Sequence, residues 1–265
     1  MVRNQNDAPT DIALSYNTIK ENKPAHVYIG SFSTSDADAN STFTYSLVSG
    51  VGATNNALFT VSNDSLYSAA TLDFEQQNSF SIRVQSTDNG SLNTQKVFTI
   101  MVSDSNDAPT AVNLNTNAVY ENLPAATVVA TISTVDADAG QTFTYSLVSG
   151  LGSNDNNMFN IFGGQLRTNA MFDYETKNSY KIRIQTNDGN GGIYADSFTV
   201  YVLNNNDAPT NMALSNNIFV ENRAVNSVVG TFSTTDQDPS DLFIYSFANV
   251  TGNDNNAFFI NGNQL

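Results

Sequence analysis

The sequence predicts an all-β chain of tandem antiparallel Greek-key sandwiches, and three observations carry that expectation. A segment of 100 residues recurs along the chain. Short runs in each copy alternate apolar with polar residues, and Gly/Asn/Asp clusters such as 150–157 and 187–192 punctuate them. No apolar stripe at helical spacing is visible.

The repeat comes first, because it sets the domain boundaries. Asn6-Asp7-Ala8-Pro9-Thr10 returns as Asn106-Asp107-Ala108-Pro109-Thr110 and as Asn206-Asp207-Ala208-Pro209-Thr210, a period of 100 residues. Glu21-Asn22, Glu121-Asn122 and Glu221-Asn222 keep the phase, as do Phe43-Thr44-Tyr45-Ser46, Phe143-Thr144-Tyr145-Ser146 and Phe243-Ile244-Tyr245-Ser246. Solenoid units run to roughly 20–50 residues, so a unit this long is read as one self-contained small domain. The expected organisation is a tail of a preceding module at 1–6, module 1 at 7–106, module 2 at 107–206 and a truncated module 3 at 207–265. Val2 aligns with Val102 and Val202, and the segment ending in Leu265 aligns with Asp64-Ser65-Leu66, so module 3 is expected to lack about a third of its strands.

Within module 2 the alternating runs are Thr127–Ser133, Phe143–Val148, Tyr180–Thr186 and Ser197–Leu203. Tyr180, Ile182 and Ile184 share one face while Lys181, Arg183 and Gln185 take the other, the period-2 pattern of a half-buried strand; Phe198, Val200 and Val202 repeat it. About seven such strands per copy make a sandwich. Tyr45, Phe43 and their copies read as core aromatics.

Composition excludes several chemistries. Ten Lys+Arg against 25 Asp+Glu leave a net charge of −15, which rules out a strongly basic nucleic-acid binder. There is no cysteine and a single histidine, His26, so disulfides, thiolate metal sites, zinc sites and His-based triads are excluded or nearly so. No apolar run approaches the roughly 20 residues of a membrane span. At 40% hydrophobic and 11% aromatic, the chain has enough apolar material for packed cores.

The acids are not scattered. Of the 25, 18 recur at the same phase in another copy, Asp104 takes a linker phase that Asn204 fills in the next copy, and Asp11, Asp64, Asp155, Asp196, Asp241 and Asp254 fall outside the pattern. Clustered carboxylates repel and raise one another's pKa unless a cation neutralises them. Without Cys, and nearly without His, the donors are all oxygen, which suits a hard cation of the calcium type; magnesium asks for tighter octahedral geometry.

These residues carry a family resemblance. Glu21-Asn22, Leu72-Asp73-Phe74-Glu75, the linker Asp104-Ser105-Asn106-Asp107-Ala108-Pro109, Asp136-Ala137-Asp138 and Asp188-Gly189 resemble the calcium motifs of cadherin repeats. The chain closely resembles the cadherin-like modules of large bacterial surface proteins and adhesins, to which the run Phe143-Thr144-Tyr145-Ser146-Leu147-Val148-Ser149-Gly150 is also similar. The resemblance implies immunoglobulin-like, cadherin-like sandwiches that bind calcium between modules.

Carried over residue by residue, it implies a first junction of Glu21, Asp73 and Glu75 from module 1, Asp104, Asn106 and Asp107 from the linker, and Asp136, Asp138 and Asp188 from module 2. The second junction takes Glu121, Asp173, Glu175, Asn204, Asn206, Asp207, Asp236 and Asp238; an entrance half-site takes Asp7, Asp36, Asp38 and Asp88. Two departures stand out. The family's linker carries a further Asn that is missing here between Asp107 and Ala108, and Asn204 replaces the acid found at Asp104. Weaker calcium binding is expected at the second junction.

Each motif also has an ordinary reading. The prolines at 9, 109 and 209 suit the start of an extended strand, and Asp36-Ala37-Asp38 alone suits an Asx turn. Three function classes follow: a calcium-stiffened extracellular or cell-surface adhesion and spacer array; a carbohydrate- or ligand-binding sandwich, for which the absence of Trp is unfavourable; and a hydrolase using Asp73 and Glu75. The recurrence of that pair as Asp173 and Glu175 in a structural phase argues against the third. The expected partners are neighbouring modules of the same chain and other cell-surface adhesins or glycans.

Overall fold

The computed structural model describes residues 5–265, so Val2 and most of the expected preceding tail lie outside the described residues. The chain comprises two compact units. The first runs to Thr110 and includes the loop segments Asp136–Thr142 and Asp188–Gly192; the second holds the remainder to Leu265.

In the first unit repeat 1 forms eight strands: β1 (Asp11–Leu14), β2 (Thr18–Lys20), β3 (Tyr28–Ser35), β4 (Phe43–Leu47), β5 (Phe59–Ser62), β6 (Ser65–Ser68), β7 (Ser79–Asp88) and β8 (Asn93–Ser103). They make two four-stranded sheets, ordered β1-β3-β6-β5 and β2-β8-β7-β4. Seven antiparallel strands were expected, and the eighth arises because the first strand breaks. Its first half pairs antiparallel with β3, and after residues 15–17 the chain joins the other sheet. There β2 runs parallel to β8, Thr18 beside Met101 and Lys20 beside Ser103, because it keeps its direction while changing partner. This split seals one edge of each sheet with a single segment.

Between the sheets lie Ile12, Phe32, Leu66, Ile82, Val84 and Ile100, all buried. Each contributes roughly 1.5–3 kcal/mol of apolar burial. Tyr45 stacks on Phe32 at 5.3 Å and accepts a hydrogen bond from Thr34 Oγ1 at 2.9 Å. Phe43 is only half-buried and stands outside that cluster, so of the two aromatics read as core only Tyr45 packs there.

The second unit repeats the plan with β9 (Ala111–Leu114), β10 (Ala118–Tyr120), β11 (Val128–Val135), β12 (Thr144–Leu147), β13 (Phe159–Phe162), β14 (Gln165–Thr168), β15 (Ser179–Asn187) and β16 (Ile193–Leu203). Its sheets are β13-β14-β11-β9 and β10-β16-β15-β12, and β10 again runs parallel to β16. The alternation of the sequence is realised in β15, where Tyr180, Ile182 and Ile184 are buried, and in β16, where Val200 and Val202 are buried and Phe198 partly so.

Among the described residues the third repeat has one two-stranded ladder, β17 (Asn211–Leu214) with β18 (Phe232–Thr235). Phe59 and Phe159 are 3% and 2% exposed, while their counterpart Phe258 is 42% exposed. The difference follows from sheet pairing, since among the described residues no counterpart of β7 or β8 lies over Phe258.

Candidate metal centre

The first acidic site is built around a buried carboxylate. Glu21 follows the last residue of β2 and is 1% exposed. Its Oε2 accepts a hydrogen bond from Phe74 N at 2.7 Å and its Oε1 one from Ser105 N at 2.7 Å, so one side chain ties the β6–β7 connection to the linker after β8. Asn22 holds φ at 55°, a backbone region that Asn tolerates, and its Nδ2 donates to Asp107 Oδ1 at 2.7 Å.

Asp73 opens a helical turn. Its Oδ1 accepts from Gln76 N at 2.9 Å and its Oδ2 from Gln76 Nε2 at 2.8 Å. That turn brings Glu75 back toward Glu21. Glu21, Asp73 and Glu75 thereby present carboxylate oxygens that all lie within 4.8 Å of one another, and Glu75 belongs to a second such group with Asp104 and Asp138.

The loop 136–138 closes on the linker through its backbone. Asp107 N donates to Asp138 Oδ2 at 2.7 Å, and Asp138 N donates to Asp136 Oδ1 at 3.0 Å. The other oxygen, Asp136 Oδ2, is buried with no hydrogen-bond partner. Asp36 Oδ2 and Asp236 Oδ2 share that state. Desolvating a carboxylate oxygen without a partner is costly, and the same oxygen is left so in all three copies.

Asp188, 2% exposed, accepts from Asn106 Nδ2 at 2.9 Å, from Asn190 N at 2.7 Å and from Gly192 N at 3.0 Å. Asn106 is also held at its other end, where Oδ1 accepts from Gln141 Nε2 at 2.8 Å. Gly192 is required by this closeness: a Cβ there would collide with Asp188 Oδ2 and stand 2.7 Å from Ala108 Cα. Gly192→Ala is therefore expected to destabilise the first unit by about 1–3 kcal/mol, the ordinary cost of overpacking. Urea unfolding checks this, and an unchanged midpoint would show that the linker gives way freely.

Among the described residues the ion pairs do not reach these acids. The ion pairs Lys96–Asp11 and Lys177–Asp155 use acids outside the repeat phase. Loss of surrounding water pushes Glu75 above the usual carboxylate range, with the Glu21 and Asp104 charges adding to it. Asp104 is raised by loss of water and by Asp138 and Glu21, and Asp107 by loss of water, Glu21 and Asp138. Asp188 moves down, held by the Asn106 amide and by the backbone amides of its own loop.

The second unit holds a related site. Glu121, fully buried, accepts from Tyr174 N at 2.6 Å and Asn205 N at 2.8 Å, and groups with Asp173 and Glu175. Asp207 N donates to Asp238 Oδ2 at 2.6 Å, and Asp238 N to Asp236 Oδ1 at 2.9 Å. Asn206 Nδ2 donates to Asp207 O at 2.7 Å, and Asn122 Nδ2 to Asp207 Oδ1 at 2.6 Å. The entrance residues repeat part of this frame: Asp7 N bonds Asp38 Oδ2 at 2.6 Å, Asp38 N bonds Asp36 Oδ1 at 2.7 Å, and Asp88 accepts from Asn6 Nδ2 at 3.0 Å.

Of the expected site residues, the tight oxygen groups thus unite Glu21, Asp73, Glu75, Asp104 and Asp138, and separately Glu121, Asp173 and Glu175. Asp107, Asp136, Asp188 and Asn106 surround the first site through the bonds above. Sequence reasoning missed Gln141, whose position holds Ser41 and Asp241 in the other copies and so shows no phase. It also set Asp241 aside as scattered, whereas Asp241 groups with Asp236 and Asp238. The carboxylate oxygens of both sites, with the orphaned buried Oδ2 atoms of Asp136 and Asp236 beside them, fit a hard cation.

Comparison with known proteins agrees with this geometry. The Cadherin domain family model matches residues 16–103 and 115–203. The chain belongs to the cadherin family. It is 28% identical over 208 residues to Protocadherin-like wing polarity protein stan of Drosophila melanogaster, covering 75% of this chain and 6% of that protein. It is 31% identical over 222 residues to human Protocadherin-1, covering 78% of this chain and 20% of that protein. The chain therefore spans a small part of these relatives' length.

Among solved structures, human Protocadherin-24 EC1-2 superposes with a TM-score of 0.58 at 20% identity, covering 76% of this chain and all of that one. Protocadherin Gamma B2 extracellular cadherin domains 1-5 gives 0.58 at 22%, covering 88% of this chain and 47% of that one. Both likenesses concern the fold. The expected tie to bacterial surface proteins finds no support in these relatives, which are animal cadherins. No helix is long and apolar enough to cross a membrane among the described residues.

Proposed function

We propose that the chain is a calcium-rigidified, non-catalytic extracellular spacer and adhesion array of cadherin-like modules, with boundaries at 7–106, 107–206 and 207–265. The observation that carries this reading is the recurrent buried Oδ2 of Asp36, Asp136 and Asp236, each without a hydrogen bond, together with the close carboxylate groups of Glu21, Asp73 and Glu75 and of Glu75, Asp104 and Asp138. Bound calcium would supply positive charge shared among the carboxylates.

The chain's own residues define what that charge would join. Glu21 fixes the linker backbone at Ser105, and Asp138 fixes it at Asp107. Glu75, Asp104 and Asp138 repel one another, so in the absence of a cation they weaken the frame those bonds build. Neutralised, the same three side chains hold the segment from Asp104 to Pro109 from both sides. Affinities of about 0.1 to 1 mM, usual for extracellular modules, confine the effect to calcium-rich surroundings. Neighbouring modules of the same chain are the primary partners, and cell-surface adhesins or glycans are those of the assembled array.

Small-angle scattering tests the reading. The maximum dimension of the chain is expected to rise on calcium addition, and Asp136→Ala with Asp138→Ala is expected to abolish the rise. Equal dimensions with and without calcium sink the stiffening proposal.

A further inference from the structure

The two acidic sites differ at one residue in a way that alters geometry as well as charge. In the first, Glu75, Asp104 and Asp138 bring three carboxylate oxygens within 4.8 Å of one another. In the second, the matching residues are Glu175, Asn204 and Asp238. Asn204 Nδ2 donates to Glu175 Oε1 at 2.9 Å and to Asp238 Oδ1 at 3.2 Å, so both hydrogens of one amide are spent on two carboxylates.

We propose that the Asn204 amide stands in for one divalent cation, so that the second site holds one calcium ion fewer than the first. The inference rests on the calcium reading above. A cation between Glu175 and Asp238 would have to displace the amide and would find two carboxylates where the first site offers three. Nothing needs to be displaced at the first site, where Asp104 has only oxygens to offer and repels its neighbours. The bridged pair keeps its linker attachment without metal, because the amide supplies the donors a cation would replace.

A second amide acts alike. Gln237 Nε2 reaches Asp173 Oδ2 at 3.3 Å, where the other repeats carry Ala37 and Ala137. The extra acid of this site, Asp241, groups with Asp236 and Asp238 and includes no linker residue, so it does not rebuild the lost position.

Terbium, a hard oxygen-seeking ion whose emission is sensitised by tyrosine, counts the sites on the full chain. Asn204→Asp is expected to raise the number of bound ions by one, Asp104→Asn to lower it by one, and the double swap to restore it. An unchanged count in Asn204→Asp overturns the proposal. If the wild-type chain binds neither terbium nor calcium, the calcium reading itself falls and this inference with it. A measurement needing no variant is the Asn204 side-chain NH2 resonance: it is expected to stay in place when calcium is added, and a large calcium-induced shift shows that the amide was displaced and overturns the proposal.

Discussion

Glu21→Ala is expected to lower the stability of the first unit by about 2–4 kcal/mol, because it leaves two part-buried backbone donors, Phe74 N and Ser105 N, without their buried acceptor. An opposing effect exists. Removing Glu21 also removes its repulsion of Glu75, Asp104 and Asp107. Exposed carboxylates such as Glu75 and Asp104 are screened by solvent, so this relief is small. The lost hydrogen bonds, part-buried and ending on a buried carboxylate, win.

Glu21→Gln separates charge from bonding. One amide oxygen can serve one donor, but the NH2 then faces the other N–H, so a loss of about 1–3 kcal/mol is expected even without calcium. Urea unfolding in chelator measures both variants, and amide exchange at Phe74 and Ser105 localises the effect. If Glu21→Ala unfolds within about 0.5 kcal/mol of the parent, as an ordinary surface change does, the tie through Glu21 contributes little.

Calcium at 10 mM is expected to stabilise the folded chain by about 1.4–2.7 kcal/mol for each bound ion, if dissociation constants lie at about 0.1 to 1 mM. Magnesium at the same concentration should stabilise less, since it accepts this irregular oxygen set poorly. The calcium effect carries a pH signature. In the metal-free chain the raised values of Glu75, Asp104 and Asp107 mean that their contribution to folding is fully present below their unfolded values. It is lost as pH rises through the raised folded values.

Calcium reverses the sign, because it favours the deprotonated form that repulsion disfavours. The calcium-induced rise in melting temperature should therefore be large near pH 7.5 and shrink as pH falls through the carboxylate range. Asp188 behaves oppositely, since its lowered value preserves its contribution until pH drops below the usual Asp range. Melting curves with and without calcium at pH 7.5 and pH 4 decide the matter. An equal shift at both would remove the carboxylates from the explanation.

Much of this was legible in the sequence because its signals are local or strictly periodic. The alternation of Tyr180, Ile182 and Ile184 against Lys181 and Arg183 reports a half-buried strand directly, since side chains of a strand point to opposite faces in turn. Phased acids reported the site for a similar reason: Glu21, Asp73, Glu75 and Asp138 recur in the next copy, and the fold gathers them with the linker's Asp104. The switch of the first strand from one sheet to the other was not legible, since Thr18–Lys20 looks the same whichever neighbour it pairs with. Phe43 and Tyr45 are spaced as one face, yet only the second reaches the core.

The amino-acid sequence by itself determined the all-β class, the period of 100 residues and the all-oxygen donor set, because each follows from residue identity and spacing along the chain. Tertiary structure decided which donors meet. It placed Gln141 on Asn106, Asp241 beside Asp236 and Asp238, and the Asn204 amide between Glu175 and Asp238. Each contact brings in a residue that breaks the repeat pattern, Gln141, Asp241 or Asn204, so only the folded backbone sets its distance and direction.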